Sequence, residues 1–176
     1  MAVKQGWTGR FFEDFEAGDV YEHPLGRTVL AADNIWFSCL TMNTNPNHFD
    51  AEYSSRTEFG KPLVNSCFTL ALVTGQSVAD LTMNGVANLQ WDEVRMPHPL
   101  FEGDTVYSRT EVLSTRESKS RPTQGLVTVR TTGVNQHRDT VIEFKRTFMV
   151  YKRGHGPHAG SRESRVGRTE SEGRSQ

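Results

Sequence analysis

The sequence has few of the features that mark several large classes of protein. It has two cysteines in 176 residues. Cys39 and Cys67 lie in apolar segments without metal or redox spacing, which favours reduced core side chains over a disulfide scaffold. The longest strongly apolar stretch, residues 67–73, is far shorter than the roughly 20 residues of a membrane span. The N-terminal segment has no apolar leader, so we expect a cytoplasmic protein that binds no membrane.

Neither positive nor negative charge dominates the sequence. The 20 Lys and Arg residues against 21 Asp and Glu residues give a formal net charge of -1, which provides no field to attract nucleic acid. The sequence also lacks GxSxG, HExxH, CxxC and a GxGxxG entering a helix, and we expect neither a metal nor a cofactor. A chain that is 35% hydrophobic and 23% charged is typical of one globular domain.

The composition changes after Arg153. Residues 154–176 are rich in Gly, Ser, Arg and Glu, with Ala159 and Val166 as the only aliphatic side chains. Such a segment buries too little apolar surface to offset the entropy of ordering it. We therefore predict a single domain over residues 1–153 and a disordered tail over 154–176.

The first half of the domain has helical periodicity. Residues 19–30 predict a strand, and residues 33–42 a helix with apolar residues at helical spacing. Residues 65–83 predict a long helix that is apolar around much of its circumference and hence buried on most sides. Gly75 lies inside that helix, where glycine costs about 1 kcal/mol relative to alanine, so it indicates a close backbone approach.

In the second half of the domain, apolar and polar residues alternate with the period of two that is typical of strands. We predict strands over residues 86–95, 105–115, 126–135 and 141–151, joined by short polar connections. In the last strand Phe144 and Phe148 share one face, and Arg146 suggests that the alternation slips there. The result is an α+β domain in which an antiparallel sheet surrounds a long helix. One sheet covers only one side of such a helix, so we expect dimerisation.

Residues 41–50, TMNTNPNHFD, are the strongest candidate for a site. Asn43 and His48 are separated by Pro46, and a turn there can bring their side chains into one site. A neutral imidazole can take a proton from water near pH 7, and an amide can orient that water. The alternative is that the asparagines form turns and that His48 makes a structural contact. We expect the side chains of the remaining histidines to be exposed and to have no role in the site: His23, His98, His137, His155 and His158.

This segment resembles the D-x-N-P-L-H-x-D motif of the MaoC-like, or (R)-specific enoyl-CoA hydratase, family. The resemblance continues through TEFGKPLVNSCFTLALVTG, residues 57–75, and VRMPHPLFEGDTV, residues 94–106. In order, these segments and the opening of the chain cover nearly all of residues 9–151. The resemblance implies a hot-dog fold, an acyl-CoA substrate, and a homodimer or an assembly of dimers.

Three departures from the family pattern bear on the mechanism. Asn43 replaces the catalytic Asp, and an amide cannot act as a general base. Asn65 and Ser66 replace the His and Gly that precede the central helix. The NTNP-x-HFD and PLVNS segments are similar to the family members that act on branched dicarboxylic acyl-CoAs, namely mesaconyl-CoA, β-methylmalyl-CoA and itaconyl-CoA.

The function that the resemblance implies is reversible hydration of an α,β-unsaturated acyl-CoA, without a metal. His48 would activate the water and return the proton, and Asn43 would hold the water. The Ser66 N–H would stabilise the oxyanion at the start of the helix. Thr74 either donates a hydrogen bond to Asn43 or packs the helix. The candidate substrate-binding residues are thus Ser66, Asn65, Thr74 and Arg95.

Two other functions remain open on the sequence alone. A thioesterase on the same fold would need a carboxylate such as Asp50 or Glu58 to activate water. A non-catalytic acyl-CoA-binding protein would be consistent with the loss of the Asp. Candidates for binding the CoA phosphates are Arg95, Lys61 and Arg56.

Overall fold

A six-stranded antiparallel sheet and three α-helices make up the fold in a computed structural model, which describes residues 2, 4 and 6–157. The strands follow the order β1-β4-β5-β6-β3, and β2 pairs with β4. This confirms the predicted α+β class and the helical first half. The predicted tail lies outside the described residues from residue 158 onward. The elements are β1 Val20–Glu22, β2 Arg27–Thr28, α1 Ala31–Leu40, α2 Ala51–Ser55, α3 Ser66–Gln76, β3 Gly85–Arg95, β4 Thr105–Glu117, β5 Gln124–Val134 and β6 Thr140–Tyr151.

The strand predicted over residues 19–30 is wrong in its extent. It is divided into β1 and β2 by a segment that contains Pro24 and Gly26. Proline cannot donate to a strand ladder, which favours a break. A Cβ atom on Gly26 would lie 2.4 Å from the ring of Tyr107, so only glycine lets the chain pass this close to β4.

The central helix is shorter than predicted, because α3 ends at Gln76 and a π-helical turn, Val78–Thr82, follows it. The close backbone approach occurs at Gly133 of β5, where a Cβ would lie 2.8 Å from Val73 Cγ2. Gly75 has open space around it. One side of the helix is therefore buried against the sheet and the other is uncovered in a single chain; the uncovered residues are Cys67, Ala71, Gly75 and Val78.

Helix α1 presents polar residues to the interior. Asn34 and Ser38, one turn apart, are fully buried, whereas Trp36 and Leu40 are 68% and 74% exposed. The helix was predicted correctly, but its apolar residues Ile35, Trp36 and Leu40 do not face the core. Cys39, like Cys67 on α3, is free and exposed, so the prediction of core cysteines is also wrong.

Arg146 points into the core, so the alternation of β6 does not slip. It shares its face with Phe144 and Phe148, and all three side chains are fully buried. Arg146 Nη2 donates to Ser77 Oγ at 2.9 Å, while Nε and Nη1 have no partner among the described residues. Burial lowers the pKa of Arg146 to about 10. This polar contact lies between two apolar clusters, one around Val73 and one around Leu81.

His23 is buried, not exposed as the sequence predicted. Its Nδ1 is 2.8 Å from Asp80 Oδ2 and its Nε2 is 2.9 Å from Thr110 Oγ1. A buried imidazole needs hydrogen-bond partners, and these two connect β4 to the turn after α3. The described histidines other than His23 and His48 are exposed, as predicted.

Candidate active site

His48 ends a short 3-10 turn, Pro46–His48, and its side chain is almost buried, with 8% exposed. The turn begins with Asn45, whose side chain accepts a hydrogen bond from the Asn47 N–H. His48 Nδ1 lies 2.8 Å from the carbonyl oxygen of Leu63. Because a carbonyl only accepts, Nδ1 carries the proton in the neutral ring. Nε2 then has a free lone pair and no partner among the described residues, as a general base requires.

Asn34 connects the segments on either side of this histidine. Its Nδ2 donates to the carbonyl oxygens of His48 and Leu63 at 2.8 and 3.1 Å. Its Oδ1 accepts from the Asn65 N–H at 2.9 Å. Asn34 is a positioning residue that was not among the residues predicted from the sequence. The sequence feature that could have indicated it is a polar pair, Asn34 and Ser38, at helical spacing among apolar neighbours.

Asn43 follows α1 and is half-buried in front of the His48 turn. Its N–H donates to the Ser38 carbonyl at 2.9 Å, and its Oδ1 accepts from the Asn45 N–H at 3.1 Å. The amide NH₂ is therefore the part of this side chain left to contact a substrate or water. Of the two alternatives for Thr74, the structure favours packing of the helix over a bond to Asn43, since Thr74 Oγ1 is buried without a partner among the described residues.

The start of α3 is organised by Asn65. Its Oδ1 accepts from the Cys67 N–H at 3.0 Å and its Nδ2 donates to Ser38 Oγ at 3.1 Å, so both ends of the amide are engaged within the chain. Asn65 thus acts as a helix cap. The next residue, Ser66, is exposed, and its N–H has no acceptor among the described residues. A free N–H at a helix N-terminus is suited to bind developing negative charge.

A small cleft of about 220 Å³ opens beside Ser66. One of its walls is Leu63, the residue whose carbonyl binds His48. The opposite wall is the loop between β3 and β4, which is fixed by a Leu63–Phe101 bridge and a 2.9 Å bond from the Val64 N–H to the Leu100 carbonyl. The walls are mainly apolar and consist of Phe59, Leu63, Val64, Ser66, Thr69, Met96, His98, Pro99, Leu100 and Val141.

The three candidate phosphate-binding residues lie in different surroundings. Arg95 ends β3, next to Met96 of the cleft wall. The Lys61 ammonium is 4.2 Å from the ring centroid of Phe101, on the loop that closes the cleft. Arg56 lies on the surface, 3.8 Å from Glu52. The structure therefore brings Arg95 and Lys61, but not Arg56, next to residues associated with the cleft.

The two carboxylates considered for a thioesterase are not on the cleft walls, and neither are His48 and Asn43, which adjoin the cleft through Leu63. Asp50 Oδ1 caps α2 by accepting the Tyr53 N–H at 2.9 Å, and Glu58 is exposed. Within residues 2, 4 and 6–157 no group of three or more His, Cys, Asp and Glu side chains is arranged to hold a metal. No helix in this part of the chain has the length and apolarity to cross a membrane.

Residues 3–175 match the family described as Mesaconyl-CoA hydratase. The mesaconyl-CoA hydratase of Cereibacter sphaeroides is 33% identical over 145 residues, which are 82% of this chain and 42% of that protein. The chain therefore spans less than half the length of this relative. The resemblance identified from residues 43–50, 57–75 and 94–106 is confirmed, including its mesaconyl-CoA hydratase subset.

Solved structures agree with this assignment. A protein of Chloroflexus aurantiacus described as a MaoC domain dehydratase has a TM-score of 0.80 and 28% identity, covering 86% of this chain and 43% of that one. A Mycobacterium tuberculosis protein described as having a double hotdog fold has a TM-score of 0.76 and 25% identity, covering 93% and 51%. The predicted hot-dog fold is confirmed, and the chain belongs to the mesaconyl-CoA hydratase family.

Proposed function

We propose that this chain catalyses the reversible addition of water to an α,β-unsaturated acyl-CoA, and that its substrates include dicarboxylic acyl groups such as mesaconyl. The observation that carries the proposal is the tautomer of His48. The bond from Nδ1 to the Leu63 carbonyl leaves Nε2 as a free base in a loop that belongs to the family motif. Family membership supports the same reaction.

In the proposed mechanism a single histidine performs both proton transfers. Nε2 of His48 takes a proton from water while the water oxygen attacks Cβ of the enoyl thioester. Electrons move to the thioester oxygen, where the Ser66 N–H stabilises the enolate charge. The protonated Nε2 then gives its proton to Cα. The Asn43 NH₂ group orients the water, since its Oδ1 is occupied by the Asn45 N–H.

The size of the cleft favours a short acyl group. Its volume of about 220 Å³ is below the ~300–1,000 Å³ of ordinary ligand pockets, so it suits the acyl end of a thioester while CoA lies outside. We propose that Arg95 and Lys61, beside the cleft, contact the CoA phosphates. Thr69 of α3 lies on the cleft wall and adds one hydroxyl to it.

We further propose that the working unit contains two copies of the chain. The outer edge of β3 is unpaired within the described residues, and it exposes Leu89, Trp91 and Val94. The adjoining side of α3 and of the turn after it, from Cys67 to Val78, is uncovered as well. Apolar surface of this extent on a sheet edge is typical of an interface. Relatives twice as long, one with a double hotdog fold, support pairing of two units.

The activity is tested with purified protein and two substrates, mesaconyl-CoA and crotonyl-CoA. Hydration removes the conjugated double bond, and the loss of its absorbance measures the rate. A thiol reagent measures free CoA in parallel, which separates hydration from thioester hydrolysis. Hydration that depends on His48 supports the proposal. Release of thiol without loss of the double bond would indicate a thioesterase, and tight binding without either reaction would indicate a binding protein.

A further inference from the structure

His98 is the only titratable side chain among the described residues that line the cleft. The other walls are apolar except for the hydroxyls of Ser66 and Thr69. A protonated imidazole on otherwise apolar walls is the group that can pair with a negatively charged acyl end.

The backbone at His98 has little conformational freedom. It lies between Pro97 and Pro99, whose rings restrict φ and also restrict the residue before each of them. The same loop is joined to the catalytic segment by the bond from the Val64 N–H to the Leu100 carbonyl, 2.9 Å long. His98 is thus held in a constant relation to Leu63, and through Leu63 to His48.

The two ring nitrogens of His98 have different surroundings. Nε2 is 3.7 Å from Asp139 Oδ2, which also accepts a 3.1 Å hydrogen bond from Asn135 Nδ2. Nδ1 has no partner among the described residues. The side chain is 46% exposed, so a ligand in the cleft can reach it without displacing the chain. In its protonated form the ring can donate from Nδ1 while Nε2 faces Asp139.

We propose that His98 recognises the free carboxylate of a dicarboxylic acyl group, and thereby sets the preference for dicarboxylic over monocarboxylic acyl-CoAs. This inference rests on the proposed function, because it takes the cleft beside Ser66 as the acyl site. His98 is a specificity-determining residue, and it takes no part in proton transfer to the substrate. A carboxylate that enters an apolar cleft loses water and needs a charged donor to replace it.

The test compares two saturated ligands that differ only at the far end of the acyl chain. Succinyl-CoA ends in a carboxylate and butyryl-CoA ends in a methyl group, and neither can be hydrated. Isothermal titration calorimetry measures both affinities for the wild type, His98→Gln and His98→Lys. His155→Gln is the matched control, because His155 is exposed and is not among the residues that line the cleft.

We expect His98→Gln to weaken succinyl-CoA binding by about 10- to 100-fold, the effect of losing a charge-assisted hydrogen bond, and to leave butyryl-CoA binding unchanged. His98→Lys should recover part of the loss, and His155→Gln should bind both ligands like the wild type. Equal weakening of both ligands, or no change in either, would overturn the inference. Because binding needs no turnover, an enzyme that fails to hydrate mesaconyl-CoA would refute the proposed function and leave this comparison decisive.

Discussion

His48 Nδ1 donates to the Leu63 carbonyl across 2.8 Å, and this one bond links the orientation of the imidazole to the segment that leads into α3. The Asn34 amide holds both carbonyls, that of His48 and that of Leu63. The base and the start of the helix are therefore placed by a shared set of hydrogen bonds, and the variants below separate placement from chemistry.

Replacement of His48 by Asn should abolish the chemistry while keeping the placement. The Asn NH₂ can still donate to Leu63, but no atom replaces Nε2. We expect kcat for enoyl-CoA hydration to fall by about 10²- to 10⁴-fold, with a melting temperature close to that of the wild type. His48→Ala should lose the same activity and some stability as well. A fully active His48→Asn enzyme would exclude the proposed role.

Asn43 should contribute less than His48, because it only orients the water. Asn43→Ala is expected to cost about 1–3 kcal/mol in transition-state stabilisation, measured as the change in kcat/KM. Asn43→Asp keeps the acceptor for the Asn45 N–H and adds a charge. We expect it to preserve or raise hydration of crotonyl-CoA, and to raise KM for mesaconyl-CoA by repulsion of the free carboxylate. Equal effects on both substrates would contradict this reading.

Asn34 should be important for both stability and activity although it is remote from the substrate. Asn34→Leu leaves the His48 carbonyl and the Asn65 N–H without their partner in a buried site, whereas the Leu63 carbonyl keeps the bond from His48 Nδ1. Each such loss costs about 1–3 kcal/mol, so we expect the free energy of unfolding to fall by about 2–6 kcal/mol. Asn34→Asp keeps the acceptor for Asn65 but places a buried carboxylate oxygen against the two carbonyls, so it should lose at least as much. Urea denaturation measures both, and a wild-type value for Asn34→Leu would show that the network is dispensable.

Arg146→Met should be neutral or stabilising. A buried guanidinium with two unpaired nitrogens pays a desolvation cost, and replacing buried charge by apolar groups often gains about 1–4 kcal/mol. Burial lowers the pKa of Arg146 from its usual value to about 10, so the unfolded chain holds this proton more tightly. The cost is therefore fully present below pH 10 and is lost as pH rises above it. The advantage of the Met variant, measured by denaturation, should shrink above pH 10. A strongly destabilised variant would show that the bond to Ser77 and the contact of the guanidinium with the Phe148 ring, 5.1 Å from its centroid, outweigh the desolvation cost.

Ala71→Arg tests the proposed pairing of two copies. Ala71 lies on the uncovered side of α3, and a charged side chain there should prevent another unit from covering the helix. We expect sedimentation to show dimers for the wild type and monomers for the variant. Lys119→Arg, on an exposed turn away from β3, is the control. A wild type that stays monomeric at micromolar concentration would rule out the assembly.

Local patterns predicted the elements better than they predicted which side of each element is buried. Period-two alternation located all four long strands, and the spacing of apolar residues located α1. The same spacing suggested that Trp36 and Leu40 face the core, and they are exposed. Periodicity shows that the two faces of a helix differ in polarity, but it does not show which face is buried. Asn34 and Ser38 are buried because they form hydrogen bonds to a distant loop. Arg146 shows the converse, since its parity indicated an inward side chain and only its charge argued against that.

Some residues of the candidate site could likewise be predicted from the local sequence, and others could not. The motif identified His48 and Asn43, because their chemistry is local. Nothing local distinguishes His98, a histidine between two prolines in a loop, because its place at the cleft depends on the pairing of Leu63 with Phe101. His23 was also missed, because its partners Asp80 and Thr110 are far from it in the chain.

The uncovered side of α3 has a thermodynamic consequence. If a second copy covers this surface, burial of the same apolar surface stabilises both the dimer and the folded chain. The population of folded protein then depends on total concentration. The melting temperature should then rise as the protein becomes more concentrated. Dilution during an assay would lower activity slowly and reversibly, with a rate set by dissociation of the pair. The specific activity of this chain would thus be a property of two molecules, and comparisons between variants would be meaningful only at matched concentration.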